Sequence, residues 1–187
     1  GLSFQEAEDI RYAAPLHDIG KVAIPDSILR KPAKLTPEEY EEMKKHTVYG
    51  SKMLANAESR LLRLAAKIAV GHHECWDGSG YPYGLKGDAI PLEARIVTVA
   101  DVFDALSSKR VYKGEWTVED ALKYIEEKAG RNFDPRVVVV LRERFGEILL
   151  AREEENRRMV DDEASELQNQ QFPQRSRDAD HLPKTAP

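Results

Sequence analysis

The segment LTPEEYEEMKKH, residues 35–46, decides the fold class. Thr36 is a helix N-cap, Pro37 suits the first helical position, and Glu39 completes a capping box. Beyond it Tyr40, Met43, Thr47, Gly50 and Leu54 form a stripe at helical spacing, with His46 at its edge. The same pattern recurs in both directions. Upstream, Ile10, Ala13, Ala14 and His17 share a face, and VAIPDSIL (22–29) reads as a turn and a short helix opening at Pro25. Downstream, Leu61, Leu64, Ala65 and Ile68 make a face that continues to His72. ARIVTVADVFDAL (94–106) places Ile96, Val99, Ala100 and Phe103 together, with Asp101 and Asp104 beside them. WTVEDALKYIEEKAG (116–130) is a helix stopped by Gly130. The run VVVV (137–140) has strand propensity, but Asp134 as cap, Pro135 in the first turn and the RERFGEIL continuation favour a helix. Valine-rich alternation is scarce and helix formers are abundant, so an all-α bundle is expected.

At 187 residues and 41% hydrophobic, the chain can bury one real core with some surplus. A formal net charge of -5 argues against a long nucleic-acid partner, although a local group of cations can still hold a small phosphorylated ligand. Cys75 is the one cysteine, so no internal disulfide forms and a cytoplasmic setting is expected. No apolar run approaches the roughly 18 residues that span a bilayer, so no membrane segment is expected. The chain opens on Gly and runs directly into helix-like sequence, LSFQEAEDIRYAAPLH, which reads as a piece of a longer protein. After about residue 150 the sequence is polar all round and then loses periodicity. The expected organisation is a domain over 1–150, then a charged helical extension and a disordered tail over 151–187.

The chemistry is concentrated in HHECWDGSGYP, residues 72–82, where two adjacent histidines precede a glycine-rich turn. Four of the five histidines lie where apolar stripes meet. One such histidine is ordinarily a hydrogen-bonded core residue. Burying His17, Asp18, His46, His72, His73 and Asp101 together without partners would cost several kcal/mol, and metal ions are the economical partner. Helical neighbours point about 100° apart, so His17 and Asp18 can reach different ions of one cluster, with Asp18 as the natural bridge. Two ions roughly 3.5–4 Å apart suit in-line attack on phosphorus.

HDIGKVAIPDSIL (17–29), KLTPEEYEEMKKH (34–46), HHECWDGSGYPYGLKGDAIP (72–91) and VADVFDALSSKRVYK (99–113) together resemble the HD-GYP domain, a branch of the HD phosphohydrolase superfamily. The resemblance covers about residues 10–145 and implies an HD-type helical bundle with a bi- or trinuclear iron or manganese centre. It implies hydrolysis of cyclic di-GMP to the linear dinucleotide and onward to GMP. Carried onto this sequence, it makes His17 and Asp18 ligands with Asp18 bridging, completes the second metal with His46, His72 and His73, and gives Asp101 to the first. Lys21 and Arg110 would steady charge at phosphorus, while Lys113 and Tyr81 would join them in gripping the substrate. An upstream receiver or sensor domain, a signalling protein docking on the GYP loop, and a second copy of the chain are the partners it suggests.

One departure stands out. The family's first metal also takes a His, and in trinuclear members a Glu, from a helix well upstream. None of the 16 residues before His17 is a His, and the spacing of Glu6 and Glu8 does not match. Truncation inside that helix is the expectation, leaving one metal held well and the other poorly. Among neighbouring residues, Glu74 is a candidate for orienting a ligand histidine, Asp104 for supporting a metal ligand or capping its helix, and Trp76 and Tyr83 for anchoring the loop. Two rival readings remain: the same chemistry on another cyclic dinucleotide or phosphoester, and a nucleotide- or partner-binding module with little turnover.

Overall fold

The computed structural model describes residues 1–108, 116–155, 157 and 158. It divides into a unit of Gly1–Glu143 and a second beginning at Arg144. The described residues contain helices and no β-strand, only an isolated bridge between Ala129 and Phe133. No helix among them is long and apolar enough to cross a membrane.

In the first unit α1 (Phe4–Ala13) starts at Ser3, whose side chain and that of Glu6 form a capping box. The expected face running unbroken into His17 is not formed. Pro15 lacks the amide that would continue the helix, and the chain passes instead through two 3-10 turns, Ala14–Leu16 and Ile19–Ala23. His17 and Asp18 therefore sit at a turn between elements. After α2 (Asp26–Leu29), α3 (Pro37–Lys44) begins with the Thr36–Glu39 capping box read from the sequence. The stripe from Tyr40 to Leu54 is divided at Lys45, and α4 (His46–Ala55) starts at the histidine.

The central element is α5 (Arg60–Gly71), against which α1, α4 and α6 pack. Ala13, Ala65, Ile68 and Val97 are buried at the core, with Ile10, Leu16, Leu54, Leu61 and Leu64 packed around them. Three of α5's buried residues are alanines, which let neighbouring backbones come close. On α6 (Leu92–Ser107) the buried face is Ala94, Val97, Val99 and Phe103, whereas Ala100 is exposed. The core face is thus turned from the one expected, because Ala94 must fit beside Gly71, whose added Cβ would lie 2.8 Å from the Ala94 Cβ. Then α7 (Val118–Glu127) and α8 (Pro135–Glu143) complete the unit, and the valine run is helical as expected. In the second unit residues 145–155 are helical. The tail from 159 on lies outside the described residues.

Two features fix the turn that carries His17 and Asp18. Gly20 is buried, and a Cβ there would lie 1.9 Å from the His46 carbonyl oxygen and 2.4 Å from the Gly50 amide nitrogen. Only hydrogen fits at that crossing. Gly80 plays the same part for the later loop, where a Cβ would meet the Cys75 nitrogen at 2.2 Å. That loop is also clamped from outside. Arg95 of α6 reaches the buried Asp134 at 2.6 Å and Asp88 at 3.0 Å, and Arg136 reaches both acids as well. The two guanidinium groups lie over the Trp76 ring, 5.7 and 5.2 Å from its centroid. Trp76 is therefore a loop anchor, while Tyr83 is exposed.

Gly20→Ala is expected to destabilise the chain by about 1–3 kcal/mol through backbone overlap. Gly146→Ala, with nothing within 4 Å of its added Cβ, should leave stability unchanged or slightly raised. Urea unfolding of the two variants tests both signs.

Candidate metal centre

Three histidines are held by one device. His17 Nδ1 lies 2.8 Å from the Ala14 carbonyl, His46 Nδ1 2.7 Å from that of Met43, and His72 Nδ1 2.9 Å from that of Ala69. Each carbonyl belongs to the residue three positions earlier, and its two lone pairs let it accept from the ring as well as from a backbone amide, as the Ala14 carbonyl does from the His17 amide. A carbonyl only accepts, so Nδ1 carries the proton in each ring. In the neutral imidazole Nε2 then presents a lone pair.

Those lone pairs converge on Asp18. Its Oδ1 lies 3.3 Å from His46 Nε2 and 3.7 Å from His72 Nε2, and the two nitrogens are 3.5 Å apart. His73 completes the group: the ligand atoms of Asp18, His46, His72 and His73 all fall within 4.8 Å of one another. The other carboxylate oxygen, Oδ2, faces His17 Nε2 at 3.4 Å, and that nitrogen is 3.6 Å from Asp101 Oδ1. Asp18 thus has one oxygen toward each of two ligand sets. Lys21 Nζ reaches Oδ2 at 2.5 Å.

Electrostatics follow this division. Burial pushes His46 down, and burial followed by the charge of His72 and His46 pushes His73 down to about 3. Both are neutral at ordinary pH, the form a metal ligand needs. His17 is pushed up to about 10 by hydrogen bonding to Asp101 and then to Asp18. Two carboxylates give its Nε2 a strong preference for a positive partner, whether proton or metal. Burial works against ionisation of Asp18, but the neighbouring His17 and Lys21 hold its carboxyl well below the usual range.

The donor set fits divalent transition metals by an observation in the structure. Asp18 Oδ1 is buried without a hydrogen-bond partner, and the nearest polar atoms are lone-pair nitrogens. Left as they are, these acceptors repel; a cation among them satisfies all at once.

The structure brings together the six residues singled out as ligands, in two sets sharing Asp18, with Lys21 and Tyr81 beside them. Tyr81 stacks on His73, ring centroids 4.8 Å apart. Arg110 and Lys113 lie outside the described residues. Glu74 differs from expectation. It is buried, and its two oxygens accept from the Tyr83 and Leu85 amides at 2.8 and 2.9 Å, so it shapes the loop rather than a histidine. Main-chain carbonyls do the orienting, which side-chain reasoning could not anticipate. Asp104 accepts from the Ser108 hydroxyl at the end of α6, as a capping residue does. Tyr40, read from the sequence only as part of an apolar stripe, and Lys44 also lie beside Tyr81.

The chain belongs to the HD domain family, whose model matches residues 1–137. Among curated relatives it is 57% identical over 141 residues to the cyclic di-GMP phosphodiesterase response regulator RpfG of Xanthomonas campestris pv. campestris, covering 75% of this chain and 37% of that protein. It is 50% identical over 152 residues to the 3'3'-cGAMP-specific phosphodiesterase 2 of Vibrio cholerae, covering 81% of this chain and 29% of the relative. It is 52% identical over 138 residues to a cyclic di-GMP phosphodiesterase of Thermotoga maritima, covering 74% and 38%. The chain therefore spans between 29% and 38% of the length of these three relatives. A solved V. cholerae cyclic GMP-AMP specific phosphodiesterase shares the fold, with a TM-score of 0.56 at 23% identity over 76% of this chain and 39% of that one.

Substitution should separate the two ligand sets. Counting Mn(II) bound per chain, His72→Ala is expected to abolish the tight site, His17→Ala to retain it, and Asp18→Ala to weaken both. Equal loss in His17→Ala and His72→Ala would contradict the division.

Proposed function

We propose that this chain is the catalytic unit of a metal-dependent phosphodiesterase that hydrolyses cyclic di-GMP to the linear dinucleotide, GMP or both. The observation that carries the reading is Asp18, with one oxygen turned to His46 and His72 and the other to His17. His46, His72, His73 and Asp18 would hold one divalent ion, and His17, Asp101 and Asp18 a second, iron or manganese being the expected metals. When bound, such ions supply Lewis-acid polarisation of a phosphoryl oxygen and an acidified water. The first set, with three imidazoles, is the stronger site; the second has three donors in all and would hold its metal less tightly.

The residues of the chain supply the rest. Lys21 is partly exposed beside Asp18, so its ammonium can turn to a non-bridging phosphoryl oxygen and stabilise the charge that grows there. Tyr81, stacked on His73, would line one side of the substrate pocket. The carbonyls of Ala14, Met43 and Ala69 hold three imidazoles in one tautomer, so no ring needs to reorient during reaction. Arg110 and Lys113 remain in this proposal as cations for the substrate phosphates. The catalytic unit is assigned to residues 1–150.

A second reading, hydrolysis of 3'3'-cGAMP, is favoured by the relative of that name at 50% identity. One experiment covers both. The chain is loaded anaerobically with Fe(II), and separately with Mn(II), then incubated with each cyclic dinucleotide while bound metal is counted on the same samples. Linear dinucleotide or GMP from cyclic di-GMP, absent with Asp18→Ala, is expected. No turnover of cyclic di-GMP with two metals bound would overturn the assignment, and faster turnover of 3'3'-cGAMP would replace it with the second reading.

A further inference from the structure

Beside the metal centre, the C-terminal half of α3 presents Tyr40, Glu41 and Lys44. Lys44 Nζ lies 5.5 Å from the Tyr40 ring centroid and 5.6 Å from that of Tyr81, and the two rings are 6.4 Å apart, edge to face. The same ammonium pairs with Glu41 Oε1 at 2.6 Å. Tyr81 is stacked in turn on His73. One aromatic ring therefore separates the histidine cluster from a platform made of an exposed tyrosine, an ammonium and an exposed carboxylate. Lys44 is only 24% exposed at its side chain, against 68% for Glu41, and its ammonium is held between the two rings and the Glu41 carboxylate.

We propose that Tyr40, Glu41 and Lys44 form a guanine-recognition site that selects the base of the substrate, a role that rests on the phosphodiesterase reading of the neighbouring cluster. Lysine only donates and an ionised glutamate only accepts. Guanine offers the matching edge: the O6 acceptor takes a hydrogen bond from Lys44, and the adjacent N1–H and N2–H groups donate to Glu41. Adenine reverses the order, with an N6 donor beside an N1 acceptor, and would face the ammonium with a donor and the carboxylate with a lone pair. The Tyr40 ring supplies a stacking face that does not discriminate between bases. With the phosphate at the metals, Tyr81 is the spacer between the reacting end of a nucleotide and its base. Lys44 and Glu41 thereby become specificity-determining residues, separate from the groups that act on phosphorus.

The test is calorimetric binding of GMP and AMP to the Mn(II)-loaded chain, its variants checked by circular dichroism. The wild type is expected to prefer GMP by about tenfold or more, the discrimination that one well-formed pair of base contacts gives. Lys44→Met and Glu41→Gln should each bring the ratio toward one, and Lys44→Arg, which keeps the donor, should preserve most of it. Tyr40→Ala should weaken both nucleotides alike. A wild type without preference, or a preference untouched by both Lys44→Met and Glu41→Gln, would overturn the proposal. A guanine preference lost in these variants, in a chain that fails to hydrolyse cyclic di-GMP, would uphold the site and remove the phosphodiesterase reading instead.

Discussion

The structure depends on a repeated hydrogen bond, from a histidine Nδ1 to the carbonyl three residues before it. His17, His46 and His72 each make it at the end of a helical segment. A carbonyl near a segment end keeps a second lone pair, and an imidazole that donates to it has its far nitrogen aimed into the bundle. Three segment ends brought to one place thus aim three Nε2 atoms at one carboxylate. The elements that position them are ordinary: a proline that ends α1, a break at Lys45 that starts α4 on a histidine, and the last turn of α5. What makes them converge is close backbone packing at Gly20 and the small residues of α5.

This arrangement sets a local conflict against the stability of the whole. His46 and His72 are almost completely buried with their Nε2 atoms facing each other and an unpartnered carboxylate oxygen. Such a group lowers stability unless something positive joins it. The apolar core around Ile68 and the clamp of Arg95 and Asp134 hold the frame against that strain. A site of this kind is preorganised: its donors are aimed before the cation arrives, so little reorganisation accompanies binding.

Much of this was legible in the sequence. The capping box at Thr36 and Glu39 and the helical reading of the valine run rest on local pattern, and the grouping of His17, Asp18, His46, His72, His73 and Asp101 rests on motif order. Rotation of a helix is harder to read. Ala100 was placed on the core face of α6 because alanine is apolar, yet packing against Gly71 turned Ala94 and Val97 inward instead. Glu74 was read as a histidine partner from adjacency alone, but the amides of Tyr83 and Leu85, nine and eleven residues away, claimed it. Backbone acceptors carry no side-chain signature, so the groups that orient the histidines were invisible to residue-type reasoning. The nearness of Tyr40 and Lys44 to the cluster is invisible in sequence for a related reason, since it comes through Tyr81, far along the chain.

The sharing of Asp18 between two ligand sets is the point on which the functional account turns. Its most direct test is a crystal structure of the Mn(II)-loaded chain with anomalous scattering recorded at the manganese edge. Two peaks flanking Asp18 are expected, the stronger among His46, His72 and His73 and the weaker between His17 and Asp101. A single peak bound by Asp18 through one oxygen, at full metal loading, would contradict a bridging carboxylate and with it the two-metal reading of the site.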